Sequence, residues 1–166
     1  MTRSDRLIRQ ASTAARADFA RGEVSASALL PATPERVFGA LTSAEICDWW
    51  IRPGVFDTRV WRGDLRVGGR WEAAGMRSGQ PYRLEGEYLE IETPAWLTHT
   101  WKAVGAPGNP ATVTYRLERE GDWVRLTIDH TGLMVEEVCE RTRAGWETSL
   151  AHLAEILAEE RATASA

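Results

Sequence analysis

Three histidines are the side chains here that change charge near neutral pH, and strand alternation turns two of them inward. His130 closes the run Trp123–Thr131 in phase with Val124, Leu126 and Ile128, and His99 shares its phase with Leu97 and Trp101. Two inward imidazoles suit general acid–base work, with His130 as the candidate group and His99 or Tyr115 beside it. The competing reading for each is a hydrogen-bonded core histidine. His152, next to Leu153, falls at the edge of a helical stripe. No nucleophile pattern accompanies the imidazoles: Ser/His/Asp order, HExxH spacing and a phosphate-binding loop are all missing. Cys47 stands beside Asp48 with no adjacent basic residue to activate it. Cys47 and Cys139 have neither CxxC spacing nor a histidine cluster, so they read as free thiols in a reducing, cytoplasmic setting. No metal or other cofactor is expected. The acids Asp48, Glu85, Glu87, Glu90 and Asp129 are scattered, and Glu85 and Glu87 lie out of phase with Tyr88, on a solvated strand face.

The second available chemistry is recognition by flat rings. Eight tryptophans are spread through the chain without a repeat. Trp49 and Trp50 end a short helix, Trp71, Tyr88, Trp101 and Tyr115 alternate onto one sheet face, and Trp146 comes from a long helix. Trp49, Trp71, Tyr88, His99, Trp101, Tyr115, His130 and Trp146 are therefore the expected lining of a cavity for a small hydrophobic or aromatic ligand. The alternative is that rings this large simply fill the core.

The element that must position them is the last one. Over Val135–Glu160, Val138, Trp146, Leu150, Leu153 and Leu157 fall on one helical face, with Thr142 filling a turn and Glu136, Glu140, Arg143, Glu147, Glu155 and Glu159 outside. A helix of roughly 25 residues is about 38 Å long and needs a broad partner over its apolar stripe. Strand-like segments supply it: Gly22–Leu30, Val55–Trp61, Leu65–Ala74, Tyr82–Ile91, Trp96–Ala103, Ala111–Arg119 and Trp123–Thr131. Two short helices follow the first strand, one capped by Thr33 with Pro34 at its first position, the other running from Ala44 to Trp50 after Ser43. Gly68-Gly69 inside a strand pattern reads as a bulge or bend. Residues 1–21, with Leu7, Ile8, Ala11, Ala15 and Phe19 at helical spacing, read as an N-terminal extension forming a short helix. The expected domain spans residues 22–160 and is followed by a flexible tail, 161–166.

Order and motifs together resemble the START/birch-pollen-allergen superfamily (SRPBCC), and within it the domain named after the activator of the heat-shock-protein-90 ATPase. The resemblance covers about residues 22–158. It rests on PATPERVFGALTSAEICDWW, GDLRVGGRWEAAG, GEYLEIETPAWLTHTW, VRLTIDHTGL and AGWETSLAHLAEIL, in that order and spacing. The N-terminal extension departs from the pattern, as does His99, which stands where a larger apolar residue is expected. The resemblance implies an α+β helix-grip fold: a seven-stranded curved antiparallel sheet wrapped around the C-terminal helix, with two short helices closing one end. It also implies an apolar cavity between sheet and helix, in which members bind lipids, hydrophobic small molecules or polyketides, and some catalyse cyclisation or hydrolysis. The namesake's chaperone stimulation uses an additional N-terminal domain, which a 20-residue extension is too short to supply.

Composition bounds the partners. The chain of 166 residues fits one domain, and a net charge of −4 with a pI near 5.5 leaves no nucleic-acid footprint. No apolar run reaches the ~20 residues of a membrane span. Three functions stay open at this point: a ligand binder, monomeric or homodimeric; a cyclase- or hydrolase-type enzyme using His130; and a protein-interaction module working through its outer sheet face.

Overall fold

The computed structural model describes residues 12–165. One antiparallel sheet of nine strands carries the molecule: β1 (Ser12–Asp18), β2 (Glu23–Leu30), β3 (Ile51–Arg52), β4 (Phe56–Gly63), β5 (Arg70–Arg77), β6 (Gln80–Glu92), β7 (Trp96–Ala103), β8 (Ala111–Glu120) and β9 (Trp123–Thr131). Its order is β1-β2-β9-β8-β7-β6-β5-β4-β3, so the first strands of the chain close against the last. Two short helices, α1 (Pro34–Leu41) and α2 (Ile46–Trp49), interrupt the chain after β2, and α3 (Glu136–Ala164) ends it. The class is α+β, a curved sheet packed on a C-terminal helix.

The buried side chains follow the alternation of each strand. Val24, Ala26, Ala28 and Leu30 of β2, Val113, Tyr115 and Leu117 of β8, and Val124, Leu126, Ile128 and His130 of β9 all turn to the inner face. Trp146, Leu150, Leu153 and Leu157 of α3 meet them there. The Thr33 hydroxyl accepts from the Arg36 N–H at 3.2 Å and starts α1 as its sequence promised. Among the described residues, no helix is long and apolar enough to cross a membrane.

Four expectations are corrected. The sheet has nine strands, not seven; β1 and β3 are the additions. Residues 12–18, expected as part of an N-terminal helix, form β1 and pair along β2 from Ser12↔Leu29 to Asp18↔Glu23. Its small residues fit either period, and the open edge of β2 decides, with Ala15 and Ala17 packed on the core. Residues 19–21 form the turn into β2, and residues 1–11 of that expected helix lie outside the described residues. The expected tail is helical instead: α3 continues to Ala164, and Arg161 lies 5.6 Å over the Trp123 ring while donating to the Asp122 carbonyl. The segment Leu65–Gly69 is a loop: strand geometry ends at Gly63, Gly68 takes a left-handed φ of 85°, and a strand resumes at Arg70. That loop returns to the sheet through Gly68 N–H to the Tyr88 carbonyl and Tyr88 N–H to the Gly69 carbonyl.

Candidate functional site

A single row of the sheet sets out the site. Tyr88 pairs with His99, His99 with Val113, Val113 with His130, and His130 with Val24, across five strands. Both histidines therefore stand on the inner face with one residue between them. Trp71 of β5 and Trp101 of β7 reach over the same face, and Trp146 descends from α3. The rings meet in one continuous cluster. Trp101 lies 5.5 Å from Trp71, 5.2 Å from His130 and 5.8 Å from Trp146, centroid to centroid, and His99 lies 5.3 Å from Tyr115 and 6.0 Å from Tyr88. Such edge-on and tilted contacts are the arrangements aromatic quadrupoles favour.

His99 is fully engaged. Its Nδ1–H donates to the Thr100 carbonyl (2.9 Å), which leaves Nε2 to accept from the Tyr115 hydroxyl (3.1 Å). The same Thr100 carbonyl accepts from Trp71 Nε1–H at 3.1 Å. That approach needs Gly86, since a Cβ there would stand 2.0 Å from the Thr100 oxygen and 2.2 Å from Trp71 Nε1. His130 is engaged on one side only. Trp146 Nε1–H donates to Nδ1 (3.1 Å), so Nε2 carries the proton, and it has no partner among the described residues.

Burial sets the charge state of the whole cluster. It pushes His99 down to about 4 and His130 down to about 3, the second helped by the neighbouring His99. It also raises the Tyr115 hydroxyl well above its ordinary value, with Tyr88 adding to the shift, and raises Tyr88 too. At neutral pH these groups are all uncharged.

The structure brings together seven of the eight expected lining residues. Trp49 is the exception. It is buried beneath the short helices, where its Nε1–H donates to the Ala40 carbonyl (3.1 Å), and it reaches the cluster only through its neighbour. Trp50 takes the central place. Its ring lies 6.0 Å from Trp71, 5.1 Å from Trp101 and 6.0 Å from Trp146. Trp50 is the first residue out of α2, and with φ still at −77° its side chain leaves about 100° around the axis from that of Trp49, the step of one helical residue. The sequence marks Trp49-Trp50 as a pair, and the step of one residue around the helix axis sends the two rings to different places. The Trp50 carbonyl accepts from the Thr58 hydroxyl (3.0 Å), which in turn accepts from Tyr82.

The remaining candidates are structural. Cys139 is buried and donates to the Leu133 carbonyl, Cys47 is half-buried, and burial raises both thiols, so neither is activated as a thiolate. Among the described residues no group of His, Cys, Asp and Glu side chains is placed to hold a metal. Two surface depressions lie elsewhere. One, of about 240 Å³, is formed around Pro53–Asp57 and Ser78-Gly79; the other, of about 770 Å³, is open and lies between Phe19, Arg52 and the first turns of α3. Neither is lined by a ring of the cluster.

A family model described as "Activator of Hsp90 ATPase homolog 1-like protein" matches residues 31–158. Among solved structures, the chain is similar to protein CV1439 from Chromobacterium violaceum, with 27% identity over 82% of this chain and 96% of that one and a TM-score of 0.74. It is also similar to the AHSA1 protein from Silicibacter pomeroyi (25% identity, 83% and 99% covered, TM-score 0.69). A protein from Arthrobacter aurescens shares the fold at 20% identity, with 88% and 91% covered and a TM-score of 0.74. No curated protein matches the chain.

Proposed function

The chain belongs to the family of Activator of Hsp90 ATPase homolog 1-like proteins, and on that footing we propose that it binds a small hydrophobic or aromatic molecule between the sheet and α3. The observation that carries this reading is the convergence of Trp50, Trp71, Trp101 and Trp146, from the residue after α2 and from β5, β7 and α3, on one spot of the inner face. Flat rings offer an apolar guest large contact area at low entropic cost. The rings already touch, so the guest enters by displacing one of them. Trp101, half-buried, gives the cluster its contact with solvent.

The same geometry works against the acid–base reading of His130. A general base needs a free lone pair, and the one on Nδ1 is occupied by Trp146 Nε1–H. A general acid near neutrality needs an imidazolium, and burial holds this ring neutral down to about pH 3. His130 serves as a neutral hydrogen-bond donor instead.

Calorimetric titration with a panel of one- and two-ring aromatic compounds tests the proposal. Saturable one-to-one binding, lost in Trp101→Ala while its near-ultraviolet circular dichroism stays native-like, is the expected result. A panel without any saturable response overturns the reading.

A further inference from the structure

Two rings of the cluster end in buried N–H groups that nothing in the described chain accepts, Trp50 Nε1–H and His130 Nε2–H. They flank the same two indoles. Trp50 lies 5.1 Å from Trp101 and 6.0 Å from Trp146; His130 lies 5.2 Å and 6.2 Å from the same rings. Trp61 Nε1 and His152 Nε2 are buried without partners as well, but neither ring makes an aromatic contact with the cluster. A buried donor left unpaired is costly, and a guest that supplies an acceptor removes that cost. The rest of the cluster narrows the guest further. Its indoles do not ionise, its two tyrosine hydroxyls stay protonated and its two imidazoles stay neutral. A carboxylate would find no counter-charge among these rings. A cation, although aromatic faces attract one, would face the positive N–H edges of Trp50 and His130.

Building on the binding reading above, we infer that the ligand is a neutral apolar molecule bearing a hydrogen-bond-accepting oxygen, an aryl ketone or lactone in class, and that His130 Nε2–H and Trp50 Nε1–H select it. A hydrocarbon of the same outline gains the ring contacts but leaves both donors unpaired. Selectivity thus comes from the two donors and bulk affinity from the rings.

The test compares guests of one shape. Acetophenone is titrated against ethylbenzene, and 2-acetylnaphthalene against 2-ethylnaphthalene, with benzoate and phenyltrimethylammonium as charged counterparts. Calorimetry gives the affinities, and the eight indole N–H signals in a ¹H–¹⁵N spectrum report the site directly. Each ketone is expected to bind about tenfold more tightly than its hydrocarbon, one hydrogen bond's worth. The Trp50 indole signal should move downfield with the ketone only. His130→Phe and Trp50→Phe should each shrink the preference to about threefold or less. Equal affinities for ketone and hydrocarbon, or tighter binding of either charged guest, would overturn this inference and leave the binding reading standing. No binding by any of the six would overturn the binding reading and this inference with it. Should His130→Phe fail to fold, Trp50→Phe and the indole signals of the unaltered protein still decide the matter.

Discussion

His99 and His130 occupy the same row of the sheet, with one strand between them, and both are buried, yet their surroundings differ in completeness. On the His99 side, Thr100, Tyr115 and Trp71 form a closed network around one carbonyl and one ring. On the His130 side, Trp146 supplies a single hydrogen bond, and the Trp50 and His130 donors face the rings unpaired. Burial fixes the protonation state of both imidazoles alike; partners alone decide which has a donor to spare. A perturbed pKa therefore does not tell these two histidines apart, whereas a count of their hydrogen bonds does.

Acid offers the largest test of what the two sides share. The folded-state values, about 4 and about 3, lie below the ordinary 6.5. Between those values and 6.5 the unfolded chain binds more protons than the folded one, so this stability is complete above pH 6.5 and is lost as pH falls towards 4. Each imidazole contributes about 1.4 kcal/mol per pH unit in that window, which together removes about 5 kcal/mol by roughly pH 4.5. Urea unfolding at a series of pH values should show this slope, and His99→Phe and His130→Phe should each halve it. A slope that responds to only one of them breaks the symmetry of burial.

Gly86→Ala strikes the closed side alone. Its Cβ cannot coexist with the Thr100 oxygen and the Trp71 indole, so a loss of about 3 kcal/mol is expected, read as a lower urea midpoint. Next comes a matched pair. Tyr115→Phe orphans the buried His99 Nε2 and should cost about 1–3 kcal/mol. His130→Phe exchanges one orphan, its own Nε2–H, for another, Trp146 Nε1–H, and should cost about 1 kcal/mol or less. Equal losses in the two variants would erase the contrast. The smallest effect belongs to Arg36, whose guanidinium bridges Glu45, at the start of α2, and Glu160 near the end of α3. Arg36→Ala should cost about 1 kcal/mol or less. It should speed amide exchange through α1, α2 and Trp50, while leaving the strands around His99 as protected as before.

Much of this was legible in the chain. Alternation alone turns His99 and His130 inward, and Thr33-Pro34 announces α1. The stripe on α3 is equally plain, although Val138 is only half-buried and Cys139 is covered instead. Three features were not legible, each for the same reason. The strand β1 depends on the open edge of β2, whose pairing overrides the helix preference of Ala14, Ala15 and Ala17. The partners that distinguish the histidines, Tyr115 and Trp146, lie 16 residues away from each and arrive by folding. The exchange of Trp49 for Trp50 in the cluster turns on how a four-residue helix is rotated against the sheet, which its neighbours in space decide.

The strands β1 and β2 have a practical consequence. The stretch matched by the family begins at residue 31, after both strands have ended. A chain cut at that boundary would keep every signature motif and still lose one flank of its sheet. The β9 edge, with Val124, Leu126 and Ile128, would be left unpaired and open to self-association. Such a fragment is expected in the insoluble fraction, whereas a chain beginning at Ser12 keeps that edge paired. For this protein the stretch that the family model matches is shorter than the unit of folding.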